Sequence, residues 1–380
     1  MYRRAVVDPR DRARKLSRID ALWAGLTAPP PLGLGVHVLA DAHRDLAALR
    51  DEAYASAPLL YPEDVALARM VHGLLEAGRV DDARAADVAF LPFGTQLFAI
   101  GAPEHAATLV RALDAAGDRP VLVLDATDLY SRPGHEGDDA LRALSAARKA
   151  ALYGWVDDRV RLLTLDANVA NDPRDLAILP FCGRALRPPG AEGARDLLFS
   201  FVGTLANPLW PPFLLRGIGA EPRWRRVEAR APGPAFLGTA DEARARLGVA
   251  DPYADVPARS VYGLCPRGYG GWTYRLSETI VSGAIPVILS DGFAPPFADR
   301  LPWETLALHV PERALDALPE LFEADAPRRA ERQAAIAAHQ HHFTPSGVRA
   351  LIADALRRRF GRAGAAADQA APSTRGEGHR

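Results

Sequence analysis

Apolar residues fall along this chain in two alternating patterns. Compact apolar runs occupy 35–39, 88–92, 120–125, 160–165 and 176–179, and each predicts a short strand buried in a sheet. Between them, over 62–76, 105–116 and 138–153, apolar positions recur at three- and four-residue intervals, which predicts helices. Strand, helix and strand in repeated succession mark βαβ units and a parallel sheet. The rhythm stops at 180–196, where Pro188, Pro189, Gly190 and Gly193 predict a linker.

A second block of the same kind follows. Residues 197–202 predict a buried strand stopped by Gly203, 240–248 a helix, 261–265 a strand, 274–282 a helix and 285–289 another strand. Helical patterns return over 313–324, 326–341 and 346–360. The expected class is α/β, with a Rossmann-like domain over 1–190 and a second over 195–345. A C-terminal helix at 346–360 and a disordered tail at 361–380, rich in Ala, Gly, Pro and Ser, complete the expected organisation.

Length agrees with two domains, because 380 residues exceed what one core usually holds. The balance of 46 basic against 47 acidic residues gives a net charge of −1, so no global field draws the chain to nucleic acid or to anionic membrane. Lys15 and Lys149 are the only lysines, so nearly every cation is an arginine, a permanently charged fork suited to phosphate. Cys182 and Cys265 are too few for a disulfide framework or a cysteine-built zinc site. The basic N-terminus is followed by no apolar run of signal-peptide length, and no stretch predicts a membrane span. The chain is expected to be soluble and cytoplasmic.

Chemistry concentrates in one stretch, Leu264-Cys-Pro-Arg-Gly-Tyr-Gly-Gly-Trp-Thr-Tyr-Arg-Leu-Ser-Glu-Thr-Ile-Val-Ser-Gly-Ala-Ile-Pro-Val-Ile-Leu-Ser-Asp291. A strand enters a turn carrying Gly268, Gly270 and Gly271, and a helix leaves it. Backbone N–H groups of such a turn, with the helix N-terminus, form an anion site. Arg267 lies in the turn and Arg275 in the first helical turn, so two guanidinium groups can flank a phosphate. At 100° per residue, Leu276, Ile280 and Gly283 share one face, while Arg275, Glu278 and Ser282 cluster on the other. Arg275 and Glu278 can serve the diphosphate and the ribose of a nucleotide, or be an ordinary surface ion pair at i,i+3. Gly283 is placed to end the helix. The glycines do not make the dinucleotide fingerprint, since Thr273 stands where its third glycine belongs, and there is no P-loop.

This stretch, with Pro295-Pro-Phe297 and Trp303 after it, resembles the exostosin-type glycosyltransferases in both order and spacing. Further echoes are Ala85-Ala-Asp-Val-Ala-Phe-Leu-Pro-Phe93, Asp175-Leu-Ala-Ile-Leu-Pro180, and Leu197-Leu-Phe-Ser-Phe-Val-Gly203 with Arg216 following. The resemblance spans roughly residues 35–345. It implies a GT-B fold, two facing Rossmann-like domains with a cleft between them, and an inverting transfer without a metal held by an Asp-x-Asp motif. The donor, a UDP-sugar, would be a substrate rather than a tightly bound cofactor. It would be bound by Gly203, Pro266, Arg267, Gly268, Arg275 and Glu278, and Arg267 and Arg275 would stabilise the leaving diphosphate. Tyr274 stands where relatives often have Ser, and Ala284 where they often have Cys. The expected partners are a nucleotide-sugar donor and a saccharide or glycoconjugate acceptor, with no nucleic acid and no membrane span.

The resemblance does not supply a catalytic base, because the Gly-Arg-Asp-His stretch common in eukaryotic relatives is absent and Gly101-Ala-Pro-Glu-His105 is a poor substitute. Asp41, His43, Asp125 and Asp128 follow predicted strands, where α/β ligand sites form, but each reads more readily as a loop or cap residue, and nothing in the sequence chooses among them. Three other features read as structure. His339-Gln-His-His342 offers two metal ligands at i,i+3 with no third in view, and is read as a solvated helix end. Trp303 is read as a core aromatic. The arginine runs 223–230 and 357–362 hold single aromatics, Trp224 and Phe360, and are read as solvated faces. Two rival functions remain: a non-catalytic nucleotide-sugar binding protein on the same fold, and a nicotinamide-dependent oxidoreductase, which the missing glycine fingerprint disfavours.

Overall fold

The computed structural model describes residues 31–39, 62–94, 114, 116–125, 159–165, 174–182, 195–203, 221–267, 273–291 and 293–361. They form two five-stranded sheets, every pairing parallel, one in each half of the chain. The α/β expectation therefore holds in both halves.

The first sheet runs in chain order through β1 (Val36–Val38), β2 (Val88–Gly94), β3 (Val121–Asp125), β4 (Val160–Thr164) and β5 (Leu176–Ala177). Helix α1 (Pro62–Glu76) lies between β1 and β2 in the chain and buries Leu67, Met70, Val71, Leu74 and Leu75. Two aspartates standing just before strands tie neighbouring backbone into the sheet. Asp87 accepts from Gly35 N–H at 2.8 Å, and Asp175 accepts from Leu162 N–H at 2.8 Å. The predicted helices at 105–116 and 138–153 fall almost wholly outside the described residues, and so does the tail 362–380.

The second sheet is the one that positions the site. Its strands are β6 (Leu197–Val202), β7 (Ala235–Gly238), β8 (Ser260–Pro266), β9 (Ile285–Leu289) and β10 (Leu308–Val310), in the spatial order β10-β9-β8-β6-β7. The chain thus starts in β6, moves outward to β7, then crosses back to β8 on the other side. That reversal is a topological switch point between the C-terminal ends of β6 and β8, where ligands of open α/β sheets bind. Helices α2 (Glu221–Ala229), α3 (Ala240–Leu247), α4 (Pro252–Ala258) and α5 (Tyr274–Val281) connect these strands. After β9 come α6 (Trp303–Leu306), α7 (Leu318–Asp325), α8 (Arg329–His339) and α9 (Pro345–Phe360).

Several elements are absent from the sequence reading, each for a physical reason. β10 is three residues long with His309 at its centre, so it shows no apolar run. Pro252 and Pro257 disguise α4, although Asp251 caps it through Tyr253 N–H and Pro252 sits in its first turn, where proline is tolerated. The stretch read as one helix from 313 is a 3-10 segment, Glu312–Ala317, followed by α7. The first residues of the expected linker are packed, not free: Pro180, Phe181 and Cys182 are buried. Pro180 accepts from the Ser277 hydroxyl at 2.7 Å, and Cys182 N–H donates to Phe343 C=O at 2.9 Å.

The expected C-terminal helix is α9, and it returns to the first half. It packs against α1, while Arg357 donates to Pro31 C=O at 3.2 Å and Arg359 to Asp175 C=O at 2.8 Å. Trp303 is a core residue, as expected. Its indole N–H reaches Pro296 C=O at 2.7 Å, and its ring meets Phe293 and Phe343 edge-on. Trp224 is buried and stacked on Phe201, and the arginines around it, on α2 and just after it, pair with carboxylates: Arg223 and Arg226 with Asp316, Arg230 with Glu320.

Candidate functional site

Every parallel strand of the second sheet delivers its last residue to one edge, and most of the predicted donor-site residues that are described stand there. β6 ends in Val202 and is followed by Gly203, whose N–H donates to Gly238 C=O at 2.9 Å. A β-carbon at Gly203 would lie 2.6 Å from the Phe201 ring, so a larger residue at this end of β6 would have to displace that ring. β8 ends in Pro266, and Arg267 continues the ladder by donating its N–H to Leu289 C=O at 3.1 Å. The glycine-rich turn itself, 268–272 and with it Gly268, lies outside the described residues.

Helix α5 forms for reasons legible in its residues. Thr273 caps it by accepting from Arg275 N–H, and Leu276, Ile280 and Val281 bury its apolar face against β8 and β9. It ends at Gly283, which takes the left-handed conformation at φ 73°. Gly263 of β8 lets the helix come close, since a β-carbon there would lie 2.5 Å from Thr279. Arg275 and Glu278 form the ion pair their spacing allows, both partly buried. The Arg275 guanidinium also lies over the ring of Tyr253, 4.4 Å from its centroid. Tyr253 comes from the first turn of α4, whose N-terminus, like that of α5, faces the edge where the strands end.

Arg267 is held differently. Its Nε donates to Glu312 Oε1 at 2.5 Å, and the two side chains are 7% and 2% exposed. Glu312 opens the 3-10 segment after β10, and its own N–H donates to Asp291 Oδ1 at 2.8 Å. Arg267, Asp291 and Glu312 therefore link the ends of β8, β9 and β10. Beside this link is a hollow lined by Ser290, Asp291, His309, Pro311 and Arg313, with the His309 Nε2 atom 2.6 Å from Ser290 C=O. The sequence reading missed Tyr253, Asp291 and Glu312. Asp291 was visible as the residue that ends a buried strand. Glu312 was not, because its partner lies 45 residues away and only the sheet order joins them.

Cys265 is buried in the core, away from solvent. Burial pushes its thiol up to about 12, outweighing the Thr279 hydroxyl and the Arg275 charge that pull it down. Of the proposed bases, Asp125 is the last residue of β3, in the centre of the first sheet. Asp41, His43 and Asp128 lie outside the described residues, as do Gly101, His105 and Arg216. Among the described residues no cluster of His, Cys, Asp and Glu is placed to hold a metal ion, His339 to His342 included. No helix among them is long and apolar enough to cross a membrane.

Residues 174–324 match the family model of the Exostosin GT47 domain, a span that begins in the turn before β5 and ends within α7. Among curated proteins, the chain is 41% identical over 70 residues to a protein of Oryza sativa subsp. japonica named as a probable glucuronosyltransferase, covering 18% of this chain and 17% of that one. It is also 41% identical over 66 residues to a protein of Arabidopsis thaliana named as a probable beta-1,4-xylosyltransferase, covering 17% and 16%. The chain thus spans about a sixth of the length of these relatives. Among solved structures, the pneumococcal O-GlcNAc transferase GtfA in complex with UDP and GlcNAc superposes with a TM-score of 0.37 at 11% identity, over 71% of this chain and 56% of that one. Anabaena HepE in complex with UDP gives 0.35 at 12%, over 72% and 79%.

Proposed function

We propose, from the match of residues 174–324 to the Exostosin GT47 domain, that this protein is a glycosyltransferase. It takes a sugar from a UDP-linked donor, a substrate and not a resident cofactor, and passes it with inversion to a hydroxyl of a saccharide or glycoconjugate. The observation that carries the reading is the placement of Arg275 and Glu278 beside the switch point of the second sheet, on a helix whose N-terminus faces the strand ends.

The chemistry follows from those groups. A diphosphate gains negative charge on its bridging oxygen as the glycosidic bond breaks, and fixed cations lower that barrier more than they favour the ground state. Arg275 supplies the charge nearest the helix N-terminus. Arg267, fastened by Glu312, adds a second guanidinium at the root of the glycine-rich turn. Glu278 accepts from the ribose hydroxyls, releasing its hold on Arg275 as the diphosphate takes that place. The acceptor hydroxyl attacks the anomeric carbon from the opposite face in a single displacement, its proton leaving to a base contributed from the first half. The proposed setting is the cytoplasm, and fractionation that finds the protein elsewhere would remove that part of the proposal.

Thermal unfolding with UDP, UDP-sugars and other nucleotides tests the reading. A ligand bound only by the native state adds about 2.7 kcal/mol at a hundredfold excess over Kd. The expected result is stabilisation by UDP or one UDP-sugar, lost in both Arg275→Ala and Glu278→Ala. Absence of stabilisation by any nucleotide would remove the transferase reading. Donor binding with no transfer or hydrolysis would turn the reading toward a binding protein.

A further inference from the structure

Tyr253 is 22 residues upstream of Arg275 and belongs to a different helix, yet its ring lies under the guanidinium, 4.4 Å from centroid to Cζ. The backbone makes this meeting a fixed one. Asp251 caps α4 by accepting from Tyr253 N–H at 3.2 Å and from Ala254 and Asp255 through its own carbonyl, so the first turn of α4 is pinned. Helix α4 in turn packs on β6, β8 and α5, the three elements around the switch point. On its other side, Arg275 is held by Glu278 one turn along α5.

A guanidinium on a long side chain samples many rotamers unless something fixes its plane. Here two contacts do so in different ways. The carboxylate fixes one edge, and the aromatic face fixes the plane by cation–π attraction and stacking. The two contacts differ in what happens when an anionic ligand arrives. Glu278 competes with a diphosphate for the same N–H groups, whereas a ring face beneath the plane occupies none of them.

We propose that Tyr253 is a positioning residue for the nucleotide diphosphate: it keeps the Arg275 plane in register while Glu278 is exchanged for the ligand. This rests on the donor-site reading of Arg275 given above. The phenol hydroxyl is not needed for the role, but the ring is, so Tyr253→Phe and Tyr253→Leu separate the two.

Two measurements on the full chain test it. UDP affinity is measured by calorimetry for the wild type, Tyr253→Phe, Tyr253→Leu, Arg275→Ala and the Tyr253→Leu/Arg275→Ala double variant. Tyr253→Phe should bind like the wild type, and Tyr253→Leu about five- to tenfold more weakly, the scale of a partly desolvated cation–π contact. The double variant should bind no more weakly than Arg275→Ala alone, because the ring acts only through the guanidinium. The second measurement is the NMR signal of the Arg275 Nε–H, assigned by its loss in Arg275→Ala. Ring current should shift it in the wild type and Tyr253→Phe, and Tyr253→Leu should abolish the shift. Equal UDP affinity in wild type and Tyr253→Leu, or an undiminished Tyr253→Leu effect in the Arg275→Ala background, would overturn this inference alone. UDP that fails to bind the wild type would overturn the donor-site reading and this role with it, while the NMR signal still reports whether the stack exists.

Discussion

The two ends of the second sheet use the same side chain to opposite purposes. Where the strands begin, Arg195 donates to Ser260 C=O at 2.5 Å and Gly283 C=O at 2.8 Å, with Pro257, Ala258 and Ser282 carbonyls also in reach. These carbonyls lie at and just beyond the C-terminal ends of α4 and α5, the negative poles of both helices. Burial lowers the pKa of Arg195, yet a guanidinium stays charged, and its charge is spent on backbone. Where the strands end, Arg267 and Arg275 face carboxylates, Glu312 and Glu278, at the side toward which helix N-termini point. A carbonyl partner belongs to the fold and cannot leave. Glu312 is buried with Arg267, but the carboxylate of Glu278 is partly exposed and can give way to another anion. On the proposed reading, chemistry is confined to one end of the sheet by the direction of its helices.

Three arginines sharpen this contrast, and a fourth group marks its lower limit. Arg332 lies in the core, its Nε on both oxygens of Asp325 at 2.9 and 3.1 Å and its Nη1 on the carbonyls of Glu304, Thr305 and Ala307. Arg332→Ala leaves a buried carboxylate without its cation and is expected to cost about 3–5 kcal/mol in a denaturant melt. Next comes Arg275→Ala, expected to lower kcat about 100- to 1000-fold with a smaller rise in donor KM and little change in melting temperature. Arg195→Ala should show the reverse, a loss of about 2 kcal/mol in stability with UDP affinity intact. If Arg195→Ala weakened UDP binding as much as Arg275→Ala does, the division of labour between the two ends would be wrong.

The smallest effect is a pH dependence. His342 lies 3.9 Å from His341 and 5.8 Å from His339, ring to ring. Burial first, and then the charge of these two neighbours, holds its pKa below 6.5. As pH falls through 6.5 the unfolded chain therefore takes up this proton before the folded chain does, so stability declines there and levels off below the folded pKa. His342→Gln should flatten the fall in melting temperature between about pH 7.5 and about pH 5.5 by about a degree. An unchanged slope would show that His342 titrates independently of the fold.

How much of this was legible depended on whether an interaction is local. α5 was, because its cap, its apolar face, its terminal glycine and the Arg275–Glu278 pair all lie within a few turns. β9 was, as a run of β-branched and apolar residues buried throughout. The hold on Arg267 was not, since Glu312 enters only through the order β8, β9, β10, which no period in the sequence encodes. Tyr253 was hidden for a different reason: its flanking prolines read as loop, although Asp251 before Pro252 is a helix start by its chemistry. The packing of Pro180 to Cys182 was likewise missed, because proline and glycine further along set the reading for the whole stretch.

The return of α9 to the first half bears on how the protein is made. Its partner α1 and the carbonyls of Pro31 and Asp175 are synthesised long before it. At about 5–20 residues per second, about ten to forty seconds separate the last described strand of the first sheet from the helix that covers α1. During that interval an apolar helix face waits on the ribosome without its cover. Nascent chains stalled before Pro345 should be cut by protease within α1, and chains extended past Phe360 and free of the exit tunnel should resist. Resistance at both lengths would mean that the first half completes itself without waiting for its final helix.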